Sequence, residues 1–375
     1  MTGPTAQPIY LDHNASAPMP PAVVAAMAEA VAEPGNPSSV HGFGRAARQR
    51  IDGARRAVAR LVGAAEQEIV FTSGGTEANN LALGGVGAER ILVSAIEHDS
   101  VLRAAPQAER IPVTADGVVD LDALDAMLAR GGGALVSIML ANNETGVIQP
   151  VAEAAAVAHR HGAMIHCDAI QAAGRMAVDV GALGADLLSL SGHKLGGPTG
   201  VGALVVRSGI ALAPMLRGGG QERWRRAGTE NIAGIVGFGA AAQAAGEASG
   251  DTEMLGAWRD DIERRIRDIA PDVPIYGSEV PRLANTSCLG MPGVKGETQV
   301  MAFDLAGIAV SAGSACSSGK VTPSAVLSAM GAAPDAAGEA IRVSLGRGNR
   351  AEDVDRFVAV WRDVYQRARR LRQAA

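Results

Sequence analysis

The chain has 375 residues, 47% of them apolar and 19% charged, and a mean hydropathy of +0.12; it can bury a core for one large domain or two, which excludes disorder, collagen and a small disulfide scaffold. A net charge of −5 gives no general attraction to phosphate backbones or anionic lipid, which argues against direct nucleic-acid and membrane-surface roles. Cys167, Cys288 and Cys316 are the three cysteines, an odd number without C-x-x-C spacing, pointing to a reducing compartment with neither a disulfide framework nor structural zinc.

The segment Met1 to Pro8 lacks the basic and apolar regions of an export signal, so a cytoplasmic location is the default expectation. Gly42-Phe43-Gly44-Arg45-Ala46-Ala47 mimics a dinucleotide fingerprint, but no strand-like run precedes it and it reads as a turn. From about Glu68 to Arg207 short apolar runs alternate with helix-like segments, as in parallel strands joined by crossover helices. The runs are Ile69–Thr72, Ile91–Ile96, Ala134–Leu140, Met164–Cys167, Asp186–Leu190 and Gly202–Val206; the helical segments are Thr76–Leu83, Leu121–Arg130 and Val151–His161. Ile232 to Ala245 is too short for a bilayer span and reads as a buried helix. After about Gly250 come a charged helix, Met254–Ile269, and strand-like runs around Thr298–Phe303, Ile308–Ser311 and Ile341–Leu345. A last helix, Ala351 to Arg370, is acidic at its start and basic at its end, matching the helix dipole. The expected fold class is α/β, with a mainly parallel central sheet covered by helices on both faces and a smaller α+β domain. Residues 16–250 form the large domain; residues 1–15 and 251–375 form the small one.

Polar clusters follow five of the runs: Ser73-Gly74-Gly75-Thr76, Glu97-His98-Asp99, Asn142-Asn143-Glu144, Asp168-Ala169-Ile170-Gln171 and Ser191-Gly192-His193-Lys194. Ligands of open parallel sheets sit outside the strands' carboxyl ends, so the five clusters are expected to share one site. Only Lys194, Lys295 and Lys320 are lysines. Lys194 and Asp168, at the ends of neighbouring runs, offer an amine that can form an imine and a carboxylate that can keep a pyridine nitrogen protonated, the pairing that pyridoxal phosphate enzymes need; a buried ion pair is the other reading. The Thr72–Thr76 stretch leads into a helix whose free N–H groups suit a phosphate dianion. Aromatic residues are only 3% of the chain, which makes His98 the polar alternative for lying over a ring and passing protons. Cys316, in Ser314-Ala315-Cys316-Ser317-Ser318-Gly319, occupies a small-residue segment unusual for a structural cysteine, whereas Cys167 reads as core and Cys288 has no catalytic cue.

These residues resemble the cysteine desulfurases of the NifS/IscS type, fold-type I pyridoxal phosphate enzymes of the class V aminotransferase family. The resemblance runs from Tyr10 to about Phe357 and includes Tyr10-Leu11-Asp12, Gly35-Asn36-Pro37-Ser38-Ser39, Thr72 to Asn80, Glu97-His98, Asn142 to Gly146, Asp168 to Gln171, Ser191 to Lys194, Gly218 to Glu222, Gly228-Thr229, Ser314-Ala315-Cys316 and Ile341 to Arg347. It implies that pyridoxal 5'-phosphate is tethered to Lys194, with Asp168 on the pyridine nitrogen, Gln171 on the ring hydroxyl and His98 stacked on the ring. Gly75, Thr76, Ser191 and His193 would bind the phosphate, joined by Thr229 from the second subunit of a homodimer. Asn143 and Arg342 would hold the carboxylate of L-cysteine. Lys194 would remove the α-proton, His98 would carry the proton of the substrate thiol, and Cys316 would take the sulfur as a persulfide, leaving L-alanine. No metal is implied. The sulfur would pass to an acceptor protein such as an iron–sulfur scaffold.

Three positions depart from the family pattern. Ser16-Ala17 stands where two threonines are usual, Thr199 replaces the lysine of a Gly-Pro-Lys-Gly turn, and the segment after Cys316 is short, which leaves the acceptor open. A selenocysteine lyase or small-amino-acid aminotransferase of the same fold, or a non-catalytic assembly protein, are the alternatives; Cys316 speaks against the aminotransferase, and the joint presence of Lys194, Asp168 and Cys316 against the last.

Overall fold

The computed structural model describes residues 7–246, 251–313 and 323–374. Its centre is a seven-stranded sheet in the spatial order Ile69–Thr72, Gly202–Val206, Leu187–Ser191, Met164–Asp168, Ala134–Met139, Arg90–Ser94 and Glu109–Ile111. The last five in that order pair in parallel. Gly202–Val206 pairs antiparallel with both its neighbours, the exception in the mainly parallel sheet that was expected. No helix intervenes between Ser191 and Gly202 beyond the single turn Gly192–Lys194, and a connection that short returns the chain antiparallel. The strand Glu109–Ile111 carries two charged residues at the sheet edge and was not expected.

The central strands are buried along their whole length, so they read as continuous apolar runs because both faces are covered. Helices Gly42–Leu61, Leu121–Leu128, Val151–Arg160 and Ile232–Gly246 pack into one apolar cluster with the sheet; the helix Gly75–Gly85 packs into another. Gly42 to Ala47 is therefore the first turn of a helix and not a turn of its own. His41 caps it, its side chain accepting from the Gly44 N–H. A Cβ on Gly44 would stand 2.2 Å from the Ser39 carbonyl oxygen, so the glycine is there for close packing.

Most elements after residue 250, with Ile9 and Leu11, form a separate core around a four-stranded antiparallel sheet ordered Ser311–Ala312, Ala340–Ser344, Thr286–Gly290, Ile275–Tyr276. Ile9–Tyr10 pairs in parallel with Ile308–Ala309. The helices Asp251–Ile269 and Ala351–Ala374 pack there. The strand expected around Thr298–Phe303 is a helix, Gly296–Leu305. Its buried residues are Gly296, Gln299 and Phe303, three and four apart, which is the helical period rather than the alternation of a strand. No helix among the described residues is long and apolar enough to cross a membrane.

Candidate active site

All five polar clusters open onto one cavity of about 500 Å³. Gly75 and Thr76, His98, Asn143, Asp168 with Gln171, and Ser191 with His193 and Lys194 reach it from the sheet's carboxyl edge; Asp12, Asn14, Ser311, Gly313 and Arg342 close it from the other core.

One end is a cradle of donors. The strand Ile69–Thr72 turns at Ser73-Gly74 straight into the helix Gly75–Gly85, so first-turn N–H groups and the positive dipole end face the cavity. A Cβ on Gly75 would stand 2.2 Å from Ile170 Cδ1, so any larger residue there would have to displace the Ile170 side chain. Ser191 Oγ is buried there with no hydrogen-bond partner. Burial, with Lys194 and Arg175 nearby, pushes the His193 imidazole down to about 4, so it is neutral and donates from one nitrogen at most.

Asp168 lies 5% exposed in the middle of the cavity wall. Its Oδ1 accepts from the Ile170 N–H at 2.9 Å and its Oδ2 from Asn79 Nδ2 at 2.8 Å. Burial pushes this carboxyl above its ordinary range, against those two bonds and the charges of His98 and Lys194. His98 caps the short helix Asp99–Leu102, its Nδ1 accepting from the Ser100 N–H at 3.1 Å. Lys194 Nζ donates to the carbonyls of Asn14 at 2.6 Å and Ala15 at 2.9 Å. Gln171 donates to the same Asn14 carbonyl at 3.0 Å and accepts from Arg175 at 2.8 Å.

At the far end Arg342 gives one guanidinium nitrogen to the Asn143 carbonyl at 2.9 Å and another to Asp12 at 2.7 Å. Its Nε is buried without a partner. Asp12 in turn accepts from Ser311 Oγ at 2.9 Å. Glu144 is buried beside this group, accepting from Ser324 Oγ at 2.6 Å. Burial pushes it up to about 7, against that bond and the charges of Arg342 and His98.

A family model described as aminotransferase class-V matches residues 9–357. The chain belongs to that family. Its members depend on pyridoxal phosphate. A cysteine desulfurase of Cereibacter sphaeroides is 44% identical, over 97% of this chain and 97% of the relative. An IscS-like cysteine desulfurase of Mycobacterium tuberculosis is 41% identical, over 98% of each chain. Among solved structures, a NifS-like protein from Rickettsia africae superposes with a TM-score of 0.90 at 35% identity, covering 96% of this chain and 100% of the other. A structure described as SspA in complex with cysteine superposes with a TM-score of 0.79 at 30% identity, covering 90% and 98%.

The residues fit the family's cofactor. An orphaned hydroxyl at Ser191, a helix start opened by Gly75 and the Thr76 side chain suit a phosphate. A buried carboxylate whose charge burial disfavours, Asp168, suits a protonated ring nitrogen, and Lys194 is the lysine that lines the cavity among the described residues.

The structure thus brings Gly75, Thr76, His98, Asn143, Asp168, Gln171, Ser191, His193, Lys194 and Arg342 together. Thr229 is exposed and does not line the cavity. Cys316 lies outside the described residues. Cys167 and Cys288 are buried, and burial pushes both thiols up. Asp12, Asn14, Asn79 and Ser100 had not been singled out. Asp12 and Asn79 stand inside quoted motifs; Asn14 is marked only by long-range contacts, and Ser100 joins its neighbour His98 to the distant Asn79.

Proposed function

We propose that this chain is a pyridoxal phosphate-dependent cysteine desulfurase, converting L-cysteine to L-alanine and holding the sulfur as a persulfide on Cys316. The observation that carries this reading is the joining, in one cavity, of Lys194, the buried carboxylate Asp168 and the guanidinium of Arg342, with relatives named cysteine desulfurase over nearly the whole chain. Lys194 would bind the cofactor; Asp168 would hold its ring nitrogen, Gln171 its ring hydroxyl, and Gly75, Thr76, Ser191 and His193 its phosphate. When bound, the cofactor withdraws electrons from the substrate's α-carbon.

The chain's own residues do the rest. Arg342 offers its unpartnered Nε, and Asn143 sits beside it, to receive the substrate carboxylate; a guanidinium suits that task because its donors match both oxygens. Lys194 Nζ, placed by two backbone carbonyls, takes the α-proton. His98, which lines the same cavity, would carry the thiol proton, exchanging it at Nε2 while Nδ1 faces Ser100. Cys316 Sγ, as thiolate, forms a bond to the substrate sulfur while the carbon–sulfur bond breaks. The electron pair stays with carbon, which takes a proton, so a thiol and cysteine become a persulfide and alanine with no outside oxidant.

The same reading places residues 16–250 in a large cofactor-binding domain and residues 1–15 with 251–375 in a small one carrying Cys316. It makes the protein a cytoplasmic homodimer in which Thr229 reaches the partner's phosphate. Support for the dimer comes from the segment leading to Thr229, where Met215, Leu216 and Trp224 are exposed large apolar side chains. The persulfide passes to an acceptor protein such as an iron–sulfur scaffold. Incubation of the purified protein with L-cysteine and a thiol reductant tests the reading: alanine and sulfide form in equal amounts, and Cys316→Ser keeps the cofactor spectrum but loses sulfide. Unchanged sulfide release in that variant removes Cys316 from the reaction, and absence of alanine from the unsubstituted protein removes the reading.

A further inference from the structure

Asp168 ends one strand and His98 follows another, yet they are joined by a short chain of hydrogen bonds that no part of the reaction described above uses. Asn79 lies on the inner face of the helix Gly75–Gly85 and is 0% exposed. Its Nδ2 donates to Asp168 Oδ2 at 2.8 Å and to Ser100 Oγ, also at 2.8 Å. Ser100 Oγ lies 2.8 Å from His98 Nδ1, and the Ser100 N–H points at the same nitrogen.

Donor and acceptor chemistry leaves one way to arrange the protons. An ionised Asp168 only accepts, so the amide nitrogen of Asn79, not its oxygen, must face it. That nitrogen has two hydrogens, and the second goes to Ser100 Oγ. His98 Nδ1 receives a backbone N–H, so it carries no proton and accepts from the Ser100 hydroxyl as well. The ring proton is then on Nε2. Every donor in the chain points away from Asn79, whose own Oδ1 is buried with no hydrogen-bond partner. A buried amide that leaves its oxygen unsatisfied costs free energy, so the site holds Asn79 for its two hydrogens.

We propose that Asn79 is a positioning residue that couples the two groups flanking the cofactor ring: one hydrogen fixes the Asp168 carboxylate, and the other, through Ser100, fixes His98 as the Nε2–H tautomer. The inference rests on the reading that Asp168 and His98 bracket the ring. It makes a distinct statement about each arm. Ser100→Ala cuts only the His98 arm, while Asn79→Ala cuts both.

The test uses the cofactor-loaded protein with ¹⁵N-labelled histidine, the His98 signals being those lost in His98→Gln. In the unsubstituted protein His98 shows the Nε2–H pattern. Ser100→Ala moves the Nδ1 resonance and leaves the cofactor's visible absorption maximum in place; Ser100→Thr, which keeps the hydroxyl, restores the resonance. Asn79→Ala moves both the resonance and the absorption maximum, and lowers kcat about tenfold or more while KM stays within about twofold, the scale of a hydrogen bond to a charged group. The inference is overturned if the Nδ1 resonance stays in place in Ser100→Ala, or if Asn79→Ala changes neither absorption nor kcat. If Asn79→Ala does not fold, the Ser100 pair alone decides. An unsubstituted protein that takes up no cofactor removes the underlying reading, and the inference with it; variants that stay silent in a protein that holds the cofactor remove the inference alone.

Discussion

Replacing Arg342 by alanine tests how the cavity recognises its substrate. Two of the guanidinium's donors are spent on the Asn143 carbonyl and on Asp12, and Nε is buried and unpartnered. An incoming carboxylate gains the Nε bond and competes with Asp12 for one more, so one or two charge-assisted bonds are at stake, about 2–4 kcal/mol in all. At about 1.4 kcal/mol per factor of ten, that is a loss of roughly 30- to 700-fold, expected mainly in KM because a carboxylate charge does not change during reaction. The assay compares L-cysteine with cysteamine, which lacks the carboxylate, by steady-state kinetics and by the spectral change on binding. Arg342→Ala weakens L-cysteine by that factor and leaves cysteamine binding within about twofold of the unsubstituted protein, being worth no charged bond there. Equal losses for both ligands would refute carboxylate recognition by Arg342 and make its role one of holding Asp12 and Asn143 in place.

Asp12→Asn removes the carboxylate that competes for the same guanidinium, and KM for L-cysteine is expected to fall, which titration of the spectral change would show. Glu222→Ala leaves Arg55 buried and uncompensated, since the two form a bidentate pair at 2.8 and 2.9 Å with side chains 8% and 3% exposed; urea denaturation should show a loss of about 3–5 kcal/mol. Burial, together with the Asp168 charge, pushes Glu97 from 4.5 up to about 8, so the folded protein keeps a proton that the unfolded chain releases. Its contribution to stability therefore falls as pH rises from 4.5 to about 8, by about 1.4 kcal/mol per pH unit. Glu97→Gln keeps the neutral shape, and its unfolding free energy relative to the unsubstituted protein should rise with pH across that window; a constant difference would show that Glu97 does not hold the proton.

The central sheet was legible because its strands are buried on both faces and interrupted by polar turns, which leaves an apolar run whatever the neighbours. The direction of Gly202–Val206 was not, since antiparallel return depends on the absence of a crossover helix rather than on the run itself. The helix Gly296–Leu305 was misread because Val300 and Phe303 suit a strand while Met301 and Leu305 are exposed, blurring the apolar stripe that marks a helix. Chemistry-bearing residues at strand ends were legible for the same reason as the strands. Asn79, Ser100, Asn14 and Asp12 act through partners 20 or more positions away, such as Asp168 for Asn79 and Arg342 for Asp12, and only folding reveals such pairs.

The most direct test of the account is to reduce the purified protein with borohydride, digest it and find which peptide carries the cofactor-derived mass. Lys194, Lys295 and Lys320 are the possible lysine sites. The account predicts the label on the peptide containing Lys194 and on no other; label on Lys295 or Lys320, or none at all, would contradict it.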